Sequence, residues 1–288
     1  MALNADFLLQ HRFPTIEAKI TDRDAMLYAL SVGLAADPLD LRELRYAYEK
    51  DLETFATMPV VIGHPGDWMN DPRTGITRGM VVHGAQRLSS HKPLPLDTPL
   101  LAENRVAALL DKGADRGAIM VMQRTIREKG SGELLASMES QVFCRADGGF
   151  GGSTGVVEPL AACPSGAADQ SATIPTAPNA ALLYRLNQDR NPLHADPAVA
   201  ARANFVRPIL HGLATYGLAA VTVSRAHPQM RIRGFECRFA KPVFPGETIV
   251  VDMWRTGDEL AFQARVAERD LVVLDHGRAQ LDEPGGGF

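Results

Sequence analysis

Several things are scarce in this chain of 288 residues, and each scarcity removes a class of function. Lys and Arg number 30 against 34 Asp and Glu, so the basic excess that grips a phosphate backbone is missing and no nucleic-acid partner is expected. No apolar run approaches the length of about 20 residues that crosses a bilayer, and no membrane role is expected. The start, Met1-Ala2-Leu3-Asn4-Ala5-Asp6, lacks the basic and apolar regions of a secretory signal. Cysteines are few, odd in number and far apart: Cys144, Cys163 and Cys237 fit neither a disulfide framework nor zinc spacing. They read as packing residues in a reducing compartment, and a cytoplasmic protein is expected. His11, His64, His91, His227 and His276 show no paired ligand spacing, so no metal site is expected.

What remains is a globular chain, 45% hydrophobic, with core enough for one large or two ordinary domains. Its clearest break runs over 147–179, where Gly148-Gly149-Phe150-Gly151-Gly152-Ser153-Thr154-Gly155 gives way to Ala, Pro, Ser and Thr. This predicts an N-terminal unit over 1–146, a linker over 147–179 and a C-terminal unit over 180–288. The units share a pattern. Gly84 to Pro95 resembles Gly234 to Pro245, each ending near Lys-Pro, and strand-like runs follow both. Runs over 100–110, 118–127 and 133–144 answer to runs over 248–254, 259–268 and 271–281, rich in β-branched residues and bounded by Gly and Asp, as antiparallel strands are.

The second half alone carries the pattern of a buried helix, Leu213 to Val223, apolar nearly all round. In the comparable place the first half has 63–75, rich in Gly, Pro and Asp, which cannot form one. Ahead of the apolar helix, Asp189 and His194 lie five residues apart, the wrong spacing for one helical face. They converge only if the chain between them folds as a loop. Pro192 enforces that by fixing its own φ and pushing Asn191 out of the helical region. Asp196-Pro197 reads as the cap and first residue of a short helix, a structural task. Gly212 opens the apolar helix, where unpaired amides hold negative charge and a side chain would block approach.

Tyr184, Asp189, Asn191-Pro192-Leu193-His194 and Leu210-His211-Gly212, in this order and spacing, resemble the signature of the MaoC-like, hydratase 2 family of hotdog-fold enoyl-CoA hydratases. The first half lacks Asn-Pro-x-His, so one site per chain is expected. The resemblance implies an α+β double hotdog whose N-terminal unit has lost its helix and accommodates the acyl chain. It implies Asp189, His194 and Gly212 as the catalytic set, acting on an acyl-CoA thioester as substrate with no cofactor. It also implies ligand contacts from His83, Gly84, Lys112 and Phe239, while Asn191 either orients the site or stabilises its own loop. Asn187-Gln188 stands where the family has Ser-Gly, a departure that touches substrate choice. His211 reads as a structural group. Arg231, Arg233, Arg238 and Lys241 form either a coenzyme A phosphate patch or a solvated sheet edge. A homodimer is expected. The implied activity is reversible hydration to (3R)-3-hydroxyacyl-CoA. The alternatives are a branched, dicarboxylic or carrier-protein-linked thioester, a thioesterase, and a non-catalytic acyl-CoA binder.

Overall fold

A computed structural model describes residues 2–283. Its frame is one antiparallel sheet of ten strands in the order β1-β3-β4-β5-β2-β7-β10-β9-β8-β6. The first half supplies β1 (Ile16–Lys19), β2 (Val81–Ser90), β3 (Pro99–Asp111), β4 (Ala118–Glu128) and β5 (Leu134–Cys144). The second supplies β6 (Gln170–Pro175), β7 (Arg231–Phe239), β8 (Thr248–Thr256), β9 (Glu259–Val266) and β10 (Leu271–Asp282). Read inward from either edge, the two halves have the same strand sequence, so the repeat visible in the chain is a structural repeat. Its two Lys-Pro segments are neighbours: β2 pairs with β7 at the centre, Gln86 opposite Cys237 and Leu88 opposite Phe235.

Charge locks that seam. Arg87 of β2 binds Glu139 of β5 and Glu236 of β7, each at 2.9 Å, so one guanidinium ties three strands across the junction of the halves.

Six helices accompany the sheet: α1 (Ala5–Gln10), α2 (Asp22–Ser31), α3 (Leu41–Leu44), α4 (Ala180–Tyr184), α5 (Pro197–Arg202) and α6 (Gly212–Ala226). Among them α6 is the core element, with ten consecutive buried residues from Ala214 to Val223. Gly217 lets it approach the first half, since a Cβ there would lie 2.4 Å from Val32 Cγ1. The sheet curving round α6 makes the second half a complete hotdog. The first half has no counterpart: over 58–80 the chain makes only short 3-10 turns, as the Gly, Pro and Asp content of 63–75 predicts. Helix α2, opened by a reciprocal cap between Thr21 and Asp24, packs on α4. Tyr28 of α2 and Tyr184 of α4, matching points of the repeat, lie with ring centroids 6.4 Å apart.

The stretch 147–179, read as linker, is only partly one. Gln170–Pro175 forms β6, paired to β8 along its whole length. Only Ile174 of that edge strand is buried, so no alternating pattern marks it. Cys144 and Cys237 are buried and all three cysteines are free. No helix among the described residues is long and apolar enough to cross a membrane.

Candidate active site

The candidate site is built on the turn after α4. Asn191 has φ −54° and ψ 123°, the extended conformation that a following proline imposes, and Pro192 opens a 3-10 turn ending at His194. Asp196 then caps α5, accepting from the amides of Ala198 and Val199. Asp189 Oδ1 accepts from the Asn191 amide at 3.1 Å, and the Asn191 side-chain oxygen accepts from the Leu193 amide at 3.0 Å. That oxygen is therefore committed to the loop.

The loop brings Asp189 and His194 together. One ligand atom from each, with one from His211, all lie within 4.8 Å of one another. Two hydrogen bonds of about 2.8 Å span such a gap, so a single water fits between carboxylate and imidazole. His194 is buried, and its Nδ1–H donates to the Ile209 carbonyl at 2.8 Å, which leaves Nε2 as the basic nitrogen. Asp189 is exposed on the open side.

His211, read from sequence as structural, stands within the site. Its ring stacks on His194 with centroids 3.7 Å apart and planes 26° apart. Its Nε2–H donates to the Asp189 carbonyl at 3.2 Å, and its Nδ1 is buried without a partner. Burial, and then the neighbouring His194, pull its pKa from 6.5 down to about 4. Burial also lowers that of His194, opposed by the Ile209 hydrogen bond and Asp189.

At the start of α6 no side chain caps the helix, so its first amides remain open to a ligand oxygen. A Cβ on Gly212 would meet the Phe239 ring at 3.2 Å. Phe239 in turn packs on His83 of β2, ring centroids 4.6 Å apart. His83 Nε2 is buried and unpartnered, and burial drops the His83 pKa to about 4. Gly84 sits at the β-bulge that follows, between His83 and Ala85. These residues form a chain from the first half to the helix tip. Lys112 lies at the end of β3 with its ammonium 5.9 Å from the Phe143 ring, on the strand beside β2. Three of the four cationic residues of the basic cluster are matched: Arg231 to Glu53 at 3.6 Å, Arg233 to Asp282 at 3.5 Å and Arg238 to Asp275 at 2.9 Å.

Three further features surround the turn. Tyr184 Oη is buried beside the His211 ring and lacks a partner, joining His83 Nε2 and His211 Nδ1 as orphaned polar atoms. Orphans of this kind cost about 1–3 kcal/mol each unless water or a ligand meets them. A cleft of about 260 Å³ opens beside the turn, lined by Ile16, Ile20, Leu27, Met58, Ile62 and, at the site end, Gln188. And Asn187, buried, donates to Ser31 Oγ of α2 at 2.9 Å and to the Tyr184 carbonyl at 3.0 Å, tying this turn to the first half. Gln188, at the family's glycine position, takes φ +77°, a left-handed conformation that glycine adopts freely and glutamine does not.

Comparison with known proteins agrees with this geometry. The MFE-2 hydratase 2 N-terminal domain matches residues 19–146 and the MaoC like domain residues 160–276. The chain is 33% identical to the peroxisomal enoyl-CoA hydratase 2 of Arabidopsis thaliana, over 94% of this chain and 93% of that one. It is 34% identical to the enoyl-CoA hydratase ChsH3 of Mycobacterium tuberculosis, over 95% and 97%. The crystal structure of a MaoC-like dehydratase from Phytophthora capsici superposes with a TM-score of 0.84 at 29% identity, covering 98% of this chain and all of that one. With the repeat, the single buried helix and the Asp189–His194 turn all in place, the chain belongs to the MaoC-like, hydratase 2 family of double hotdog proteins.

Proposed function

We propose that the protein hydrates trans-2-enoyl-CoA reversibly to (3R)-3-hydroxyacyl-CoA. The observation that carries the reading is the convergence of Asp189, His194 and the start of α6 beside a cleft made largely by the first half. Asp189 and His194 hold one water. As its oxygen bonds to C3, one of the pair takes its proton, and the alkene electrons move through C2 to the thioester oxygen. The amide of Gly212 faces that oxygen and lowers the cost of its charge, a contribution of roughly a hundred- to a thousand-fold. Collapse of the enolate onto a proton at C2 completes the addition, and dehydration runs the same steps backwards. His83, Gly84, Lys112, Asn191 and Phe239 border the thioester, and the cleft takes the acyl chain. Neither metal nor organic cofactor enters these steps. The reading places the enzyme in the cytoplasm as a homodimer, the compartment supported by its unpaired cysteines.

The test is loss of enoyl-thioester absorbance on mixing with crotonyl-CoA, with a free-thiol assay run alongside. Hydration removes the conjugation and releases no thiol, whereas thiol release would mean a thioesterase and binding without either signal a non-catalytic protein. Asp189→Asn and His194→Ala are each expected to cut kcat by about a hundred- to ten-thousand-fold while the melting midpoint moves by a few degrees at most.

A further inference from the structure

The wall of the cleft is held by an unusual device. Where a complete hotdog has a helix, the first half has an irregular segment over 58–64, and the carbonyls of Val60, Ile62 and Gly63 pair with no strand. Val60, Ile62 and Gly63 are buried, so these oxygens need donors from elsewhere. Two inward residues of the sheet supply them. Arg124 of β4 donates through Nη1 to the Ile62 carbonyl at 2.8 Å and the Val60 carbonyl at 3.3 Å. Asn104, its direct partner across β3, donates from Nδ2 to the Gly63 carbonyl at 3.0 Å and accepts from Arg124 Nε at 3.0 Å.

Arg124 has no carboxylate partner among the described residues, and burial alone draws its pKa down to about 10. A half-buried cation with no carboxylate beside it is costly, and a role in simple packing would be served by an apolar residue. Its donors go instead to backbone whose other face is cleft: Val61, Ile62, Gly63 and His64 all line it, while Arg124 and Asn104 do not.

We propose that Arg124 and Asn104 are positioning residues that set which acyl chains the cleft accepts, by holding the 60–63 wall away from α2 and β1. The proposal rests on the reading of the cleft as the acyl site. Without these donors the carbonyls turn toward other partners, the wall moves into the cleft, and the room that a long acyl chain needs is lost. A short acyl group needs little of that room, and a long one loses its place.

Titration calorimetry with saturated thioesters tests this without requiring turnover. In Arg124→Met the affinity for decanoyl-CoA is expected to fall by about tenfold or more, while that for butyryl-CoA stays within about twofold. Asn104→Ala, the milder change, is expected to shift the same ratio in the same direction and carries the comparison if Arg124→Met does not fold. Arg105→Met, which removes an exposed cation bonded only to Gln123, leaves the ratio alone. Equal weakening for both chain lengths, or an unchanged ratio in both variants, overturns the proposal. Hydration is judged separately, by turnover of crotonyl-CoA by the unaltered protein.

Discussion

The imidazoles of His194 and His211 lie face to face, 3.7 Å between centroids, and each spends one N–H on a backbone carbonyl, of Ile209 and Asp189 respectively. Two rings so close in a buried setting resist double protonation. The pKa of His211 is pulled from 6.5 to about 4 and that of His194 is lowered too, chiefly by burial. The neutral, basic form of His194 therefore persists below pH 6.5, and the acid limb of kcat/KM is expected to lie below that value. Stability follows the same sign. The unfolded chain takes up protons below about pH 6.5 where the folded one does not, so stability is lost as pH falls from there toward 4. A pH–rate profile and melts across this window check both, and an acid limb above 6.5 contradicts the assignment.

Gly212→Ala is expected to lower kcat more than it lowers stability. The added methyl, 3.2 Å from the Phe239 ring, forces that ring to give by a few tenths of an ångström and crowds the amide at the helix tip. Phe239→Leu in the same chain should restore part of the loss. If the double variant is no faster than Gly212→Ala, steric pressure from Phe239 is not the cause.

Gln188→Gly releases a left-handed side-chain residue, a strain of roughly 1–2 kcal/mol that glycine's greater unfolded-state freedom offsets in part. The melting midpoint should hold or rise slightly. Because Gln188 lines the cleft at its site end, acceptance of branched and long enoyl groups should broaden. An identical profile across a graded panel of enoyl thioesters would show that the side chain does not gate entry.

Asn187→Ala and Ser31→Ala each remove one end of the buried bond between the turn after α4 and α2. Asn187→Ala also strips a donor from the Tyr184 carbonyl, so its cost is expected to be the larger, about 1–3 kcal/mol. A double-mutant cycle by urea unfolding should give a coupling of about 0.5 kcal/mol or more. Strict additivity would show the contact to be energetically silent.

The parts legible in the sequence were those written locally. Strands β3, β4, β5, β8, β9 and β10 follow runs rich in β-branched residues, α6 an unbroken apolar stretch, and the bend between Asp189 and His194 the chemistry of Pro192. The repeat was legible because Lys-Pro closes both halves of the central seam. What escaped is set by pairs distant in the chain. His211 looked like a residue at a helix start because nothing nearby foretells a ring stacked 17 positions away. Ser31, Arg124 and Asn104 gain their meaning only when α2 and the inner face of β3 and β4 come against segments far along the chain. Edge strand β6 went unread because a strand covered on one residue leaves no periodic mark.

The pairing of β2 with β7 means that neither repeat owns a finished border. Cleaving the chain within 147–169 would strip each fragment of its neighbour and bare a long row of unsatisfied amides and carbonyls, a template for self-association. Separately expressed repeats are thus poor stand-ins for the whole.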